Sequence, residues 1–181
     1  MEAGLTTRII GLDPGLRITG WGVIEVKGNH LKYIAHGTVT PMQKAAFADR
    51  LCQLYTGLVE VLETYHPQEA SIEETFVNQN PTSTLKLGMA RGVVLLAPAK
   101  EGLAVAEYSA NHIKKTVTGV GHATKDQIAM MVARLLPESR GVTLDAADAL
   151  ATAICHAHHR TSNYVEHLTS PLVERSHRRC G

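Results

Sequence analysis

The sequence predicts an α/β fold: a mixed five-stranded sheet, three antiparallel strands and then parallel ones, with helices on both faces. Two observations carry this. Three strand-like segments follow one another near the N-terminus through short links, which forces antiparallel pairing. Beyond them helices and strands alternate, which supplies the crossovers that parallel strands need.

Arg8–Leu12 is a strand whose apolar run, Ile9-Ile10-Gly11-Leu12, stops at Asp13-Pro14-Gly15. Gly20–Val26 and Leu31–Thr40 are two further strands, joined by the turn Lys27-Gly28-Asn29. Gly20 and Gly22 fall on one face of the second strand, with Trp21 on the other. Glycine weakens a strand, so the pair points to a close approach by another part of the molecule. Lys44–Tyr65 is amphipathic, with Phe47, Leu51, Leu54, Leu58, Leu62 and Tyr65 at helical spacing, and Pro67 blocks its continuation.

Glu69–Glu73 is a short strand. Asn80 is an N-cap with Pro81 at the first helical position, and Leu85, Leu87, Met89, Val93 and Leu96 follow on that helix until Pro98 kinks or ends it. Leu103–Glu107 is the fifth strand. Ser109 opens a helix through Ile113 and Val117. Thr124-Lys125-Asp126-Gln127 is a capping box for a helix through Ile128, Met131, Val132 and Leu135. A final helix is expected from about Asp145 to His158, so one domain spans residues 8–158 and residues 159–181 form a weakly ordered tail.

At 181 residues the chain fits one domain, able to bury roughly 70% of its unfolded surface without disulfide staples. Its apolar share of 44% excludes a disordered chain. The longest apolar run, Gly92–Ala99, is too short to span a bilayer, and the start has no signal-peptide pattern. Cys52, Cys155 and Cys180 are odd in number and form no CxxC pair. The expectation is a soluble, cytoplasmic protein. The net charge of +1 hides an asymmetry: residues 1–81 carry −3, residues 82–140 carry +4. A site that holds cations beside a surface that holds polyanions has this pattern.

Asp13 ends the first strand and Glu73 the fourth; Asp145 and Asp148 share one face of the last helix's first turn. Each has an ordinary explanation, as a turn residue, a solvated acid or a helix cap. Together they make an all-oxygen set, which suits hard cations such as Mg²⁺. Two such cations would activate a water and stabilise the leaving oxygen of a phosphodiester.

These residues resemble the RuvC family of Holliday junction resolvases. Ile10-Gly11-Leu12-Asp13-Pro14-Gly15-Leu16-Arg17-Ile18-Thr19-Gly20-Trp21-Gly22-Val23 is similar to the family's opening motif, and Ile72-Glu73-Glu74-Thr75-Phe76 to its second. Asn80 through Gly92 is similar to its third, and Asp145-Ala146-Ala147-Asp148-Ala149-Leu150-Ala151 to its last. The likeness runs over about residues 8–158. It implies an RNase H-like fold, a homodimer, and cleavage of four-way DNA junctions that depends on two Mg²⁺ ions, with Mn²⁺ as a substitute. By the same likeness Asp13, Glu73, Asp145 and Asp148 are the catalytic, metal-holding acids, with Asp13 bridging both ions. It also implies symmetric cuts in two strands of like polarity, in recombination and repair, with RuvA and RuvB as partners.

The resemblance places the family's junction-core aromatic on Phe76 and its DNA-binding lysines on Lys114 and Lys125. Lys114, Lys115 and Lys125 flank the Gly119/Gly121 link, and Arg17 and Arg91 are further phosphate candidates. The small residues Gly88, Ala90 and Gly92 point to a dimer interface on their helix. His156, His158 and His159 beside Cys155 are read as helix C-terminal histidines that complement the dipole, not as a metal site. Three other readings stand beside the resolvase: an actin-like ATPase, a general RNase H-like nuclease, and a junction-binding protein that does not cut.

Overall fold

The computed structural model describes residues 5–15, 17–74 and 80–169, with side chains described as far as residue 160. Five strands form one sheet: β1 (Thr7–Asp13), β2 (Thr19–Lys27), β3 (His30–Val39), β4 (Glu69–Glu74) and β5 (Ala104–Ser109). Their spatial order is β3-β2-β1-β4-β5. The first three pair antiparallel, and β1–β4 and β4–β5 pair parallel. The helices are α1 (Phe47–Tyr65), α2 (Pro81–Lys100), α3 (Ala110–Thr118), α4 (Lys125–Leu135) and α5 (Leu144–Thr169).

β1 is central and covered on both faces, which is why its residues are apolar without alternation. Ile10 and Leu12 pack towards α1 and α2, in the cluster that holds Trp21, Leu54, Leu58 and Val94. Ile9 packs on the other side with Ile113, Val132, Leu150 and Ile154. All three β1 side chains are essentially inaccessible to water, a burial worth about 1.5–3 kcal/mol each.

The paired glycines are explained by α5. A Cβ on Gly20 would lie 2.1 Å from the Asp145 carbonyl oxygen, and one on Gly22 would lie 2.6 Å from the Leu150 side chain. Gly11, opposite Gly22 in the register, would place a Cβ 2.0 Å from the Ala149 carbonyl oxygen. The helix answers with Ala146, Ala147, Ala149, Ala151 and Ala153, all buried. At Gly11 and Gly20 main chain therefore lies directly against main chain, while Gly22 makes room for the Leu150 side chain.

Two helix limits differ from expectation. α2 runs through Pro98 to Lys100. A proline so near a C-terminus forfeits only the bond that its missing N–H would donate, while its carbonyl still accepts, from the Leu103 N–H at 3.0 Å. α5 continues to Thr169 instead of ending near His158; no glycine or proline interrupts the sequence before Pro171. The first part of the expected tail is therefore helix.

α2 also turns the other way from its pattern. Ala90, Val94, Ala97 and Pro98 are its buried residues, while Leu85, Met89 and Leu96 stand exposed.

Candidate active site

Strand alternation decides where the acids point. Leu12 of β1 pairs with Ile72 of β4, so Asp13 and Glu73 follow at the same edge of two parallel neighbours. Asp13 shares the parity of Ile9 and Gly11, and Glu73 that of Ser71 and Glu69. Both therefore face α5, the side on which Gly11 meets Ala149 and Glu69 meets His156. The turn after Asp13 is closed by the buried Thr19, whose hydroxyl donates to the Gly15 carbonyl at 3.2 Å.

α5 supplies the third acid. Asp148 is buried and lines the same cavity as Asp13 and Glu73. That cavity measures about 140 Å³, and Lys114, Lys125, Ala110, Ile113 and Ile128 complete its wall. Asp145 lies one turn earlier, partly buried, outside the cavity lining but near enough for its charge to act on Asp13 and Lys125.

Burial pushes the Asp13 carboxyl up to about 8, helped by the charges of Glu73, Asp148 and Asp145 and opposed by Lys125. Burial likewise pushes Glu73 up to about 7, with Asp148 adding to it and Lys125 and Lys114 opposing. Repulsion of this kind is relieved by a cation. Lys125 supplies one: its Nζ donates to Asp148 Oδ2 at 2.8 Å, a bond that holds the lysine above its ordinary value. The capping box at Thr124 and Gln127 sets it there, on the first residue of α4. An all-oxygen set, under-neutralised by one ammonium, fits hard divalent cations of the Mg²⁺ class.

The other candidate residues are placed differently. Lys114 reaches the cavity, but Lys115 points to solvent on the same helix. Arg91 is on α2 and pairs with Glu107 of β5, away from the cavity lining. Phe76 lies outside the described residues. The apolar walls Ile113 and Ile128 were visible in the sequence only as periodic core positions; their adjacency to the acids comes from the packing of α3 and α4. Gly11, the third contact under α5, was hidden inside an apolar run.

Among the described residues no helix is long and apolar enough to cross a membrane.

A family model described as crossover junction endodeoxyribonuclease RuvC matches residues 9–156. The chain is 62% identical over 153 residues to the RuvC crossover junction endodeoxyribonuclease of Azorhizobium caulinodans, covering 84% of this chain and 90% of that relative. It is 60% identical over 157 residues to the protein of the same name from Brucella anthropi, covering 87% and 91%. Among solved structures, Thermus thermophilus RuvC in complex with a Holliday junction substrate superposes with a TM-score of 0.80 at 30% identity, over 87% of this chain and 96% of that one. With the acids at one sheet edge and the match running through every motif that carries them, the chain belongs to the RuvC family of crossover junction endodeoxyribonucleases.

Proposed function

We propose that this chain resolves Holliday junctions by metal-dependent hydrolysis of two strands of like polarity, one cut by each subunit of a homodimer. The observation that carries the reading is the convergence of Asp13, Glu73 and Asp148, from two strands and a helix, on one cavity rimmed by two lysines.

Asp13, Glu73, Asp145 and Asp148 would hold two Mg²⁺ ions. When bound, these would lower the pKa of an attacking water and stabilise the leaving oxygen. The chain's own side chains do the remaining work. Lys114 and Lys125 place positive charge at the mouth, where the flanking phosphates arrive. Lys125 is held by Asp148 at 2.8 Å and would be free to meet DNA when that carboxylate is neutralised by a divalent cation. Ile113 and Ile128 keep the floor apolar, which strengthens every charge interaction above it. Lys115, exposed on the same helix as Lys114, extends the basic strip, and Phe76, two residues beyond β4, is assigned to stack on an unpaired junction base.

The dimer reading is supported by α2. Leu85, Met89 and Leu96 are exposed, and among the described residues nothing lies within 4 Å of a Cβ at Gly88 or Gly92. These five positions share one helical stripe, which suits a second copy related by a two-fold axis. Arg91, held by Glu107, borders this face and is assigned to the DNA only where the dimer brings a strand across it. RuvA and RuvB are the expected partners on the family likeness.

One gel tests the reading: a mobile four-way junction, a linear duplex and an RNA–DNA hybrid, each with and without Mg²⁺. Symmetric nicking of the junction alone, dependent on the metal, is expected. Asp13→Asn should keep junction binding and lose cutting. Binding without cutting by the unaltered protein would favour a junction-binding module, and preference for the hybrid a general RNase H-like nuclease.

A further inference from the structure

The histidines of α5 do not cap a helix end. The helix continues past them to Thr169, and α3 brings His112 alongside. His112 Nε2 and His159 Nε2 are 2.6 Å apart. Cys155 is wholly buried beneath them. One donor atom from each of His112, Cys155 and His159 lies within 4.8 Å of the other two. Thr116 sits among them, its hydroxyl 3.2 Å from His159 Nε2 and 3.7 Å from the Cys155 sulfur. Tyr108 walls the group, its ring 5.7 Å from that of His112 and 5.9 Å from that of His159. His156 is excluded from the set, because Tyr108 and Glu69 hold both of its ring nitrogens.

We propose that His112, Cys155 and His159 form a second metal site, a His₂Cys set for a borderline transition ion such as Zn²⁺, separate from the acidic cavity. The donor chemistry decides the class: imidazole and thiolate select such ions, whereas carboxylates select Mg²⁺. At ligand distances of about 2.0–2.3 Å, tetrahedral donors stand about 3.3–3.6 Å apart. The two imidazoles must therefore open slightly and the sulfur close slightly. His112 is exposed and can make the larger part of that adjustment. The Cys155 thiol loses its proton to solvent as the sulfur–metal bond forms. The ring that donates in this pair moves its single hydrogen from Nε2 to Nδ1, so that both Nε2 lone pairs face the ion and each neutral ring carries one hydrogen, on Nδ1. Three protein ligands leave a fourth position for water.

The site ties α3 to α5 about 10–16 Å along the α5 axis from Asp148. Lys114 is two residues from His112, so an ion here fixes the helix that presents this lysine to the acidic cavity.

The test uses the full chain with Cys52→Ser and Cys180→Ser, which leaves Cys155 as the single thiol. Co²⁺ is titrated in as the probe, and the near-ultraviolet sulfur-to-cobalt charge-transfer band is read. The acidic cavity has no sulfur and cannot produce that band. One equivalent of band-producing Co²⁺, displaced by Zn²⁺, is expected. Adding His112→Ala, at an exposed position that leaves the core intact, should weaken the binding at least about tenfold. Cys155→Ser should abolish the band. Cobalt binding without the band, or a band unaltered by His112→Ala, overturns the proposal.

Discussion

Asp13→Asn should make the metal-free protein more stable while abolishing its cutting. The Asp13 carboxyl is pushed from 3.8 to about 8 in the folded chain. A raised carboxyl contributes stability that is complete below the unfolded value and is lost as pH rises through the folded one. At pH about 7 the loss is up to about 4 kcal/mol, taking about 1.4 kcal/mol for each pH step above 3.8. Local relaxation and water entry bring this to about 2 kcal/mol. Asparagine is nearly isosteric and carries no charge, so the variant escapes the loss. For a chain of this size 2 kcal/mol corresponds to a rise of at least about 4 °C in Tm. The assay is thermal unfolding of both proteins in chelator across pH about 4 to 8. The gap should be small at the acid end and widen with pH. Saturating Mg²⁺ should raise the Tm of the unaltered protein more than that of the variant, since it neutralises the repulsion that the variant lacks. A gap independent of pH, or a variant less stable than its parent throughout, would refute the electrostatic account of the cavity.

Three further outcomes follow from the same structure. Lys114→Ala should weaken junction binding and reduce the slope of log affinity against log salt by about one, measured by fluorescence anisotropy; an unchanged slope would remove it from the DNA surface. Gly20→Ala forces a Cβ against the Asp145 carbonyl and so shifts the first turn of α5. The expected loss in single-turnover cleavage is about 100-fold with binding retained, and near-normal cleavage would contradict it. Glu69 is held down to about 2, first by the hydrogen bond of His156 and then by Arg160. Its contribution, present above 4.5 and lost as pH falls towards 2, is about 1 kcal/mol after solvent screening. Glu69→Gln should lower Tm near neutrality, by a margin that closes on acidification.

What the sequence made legible was local. Strand ends marked by acids, the Asn80 cap and the Thr124–Gln127 box are written in adjacent residues, and each is where its chemistry placed it. The strand pairing followed from link lengths. The outward stripe of α2 did not, because that helix is apolar nearly all round and its periodicity has no phase; alanines went inward and Leu85, Met89 and Leu96 outward. The length of α5 was misjudged because polar residues without helix breakers look like a tail. The association of His112 with His159 is a tertiary fact, the two standing 47 residues apart in the chain, and no local pattern announces it. Of the four acids, three line one cavity and Asp145 stands a turn behind.

The bare strip formed by Gly11, Gly20 and Gly22 has a mechanical corollary. Where helix and sheet usually meet, a layer of rotamer-rich side chains acts as a compliant cushion, and geometry drifts as that layer repacks. At Gly11 and Gly20 the cushion is absent, so Asp148 is located by peptide-to-peptide seating of its helix against the strand that carries Asp13 and the strand beside it. Alignment of the two carboxylates should thus be indifferent to core substitutions a few residues away and unforgiving of a single added methyl along that seat.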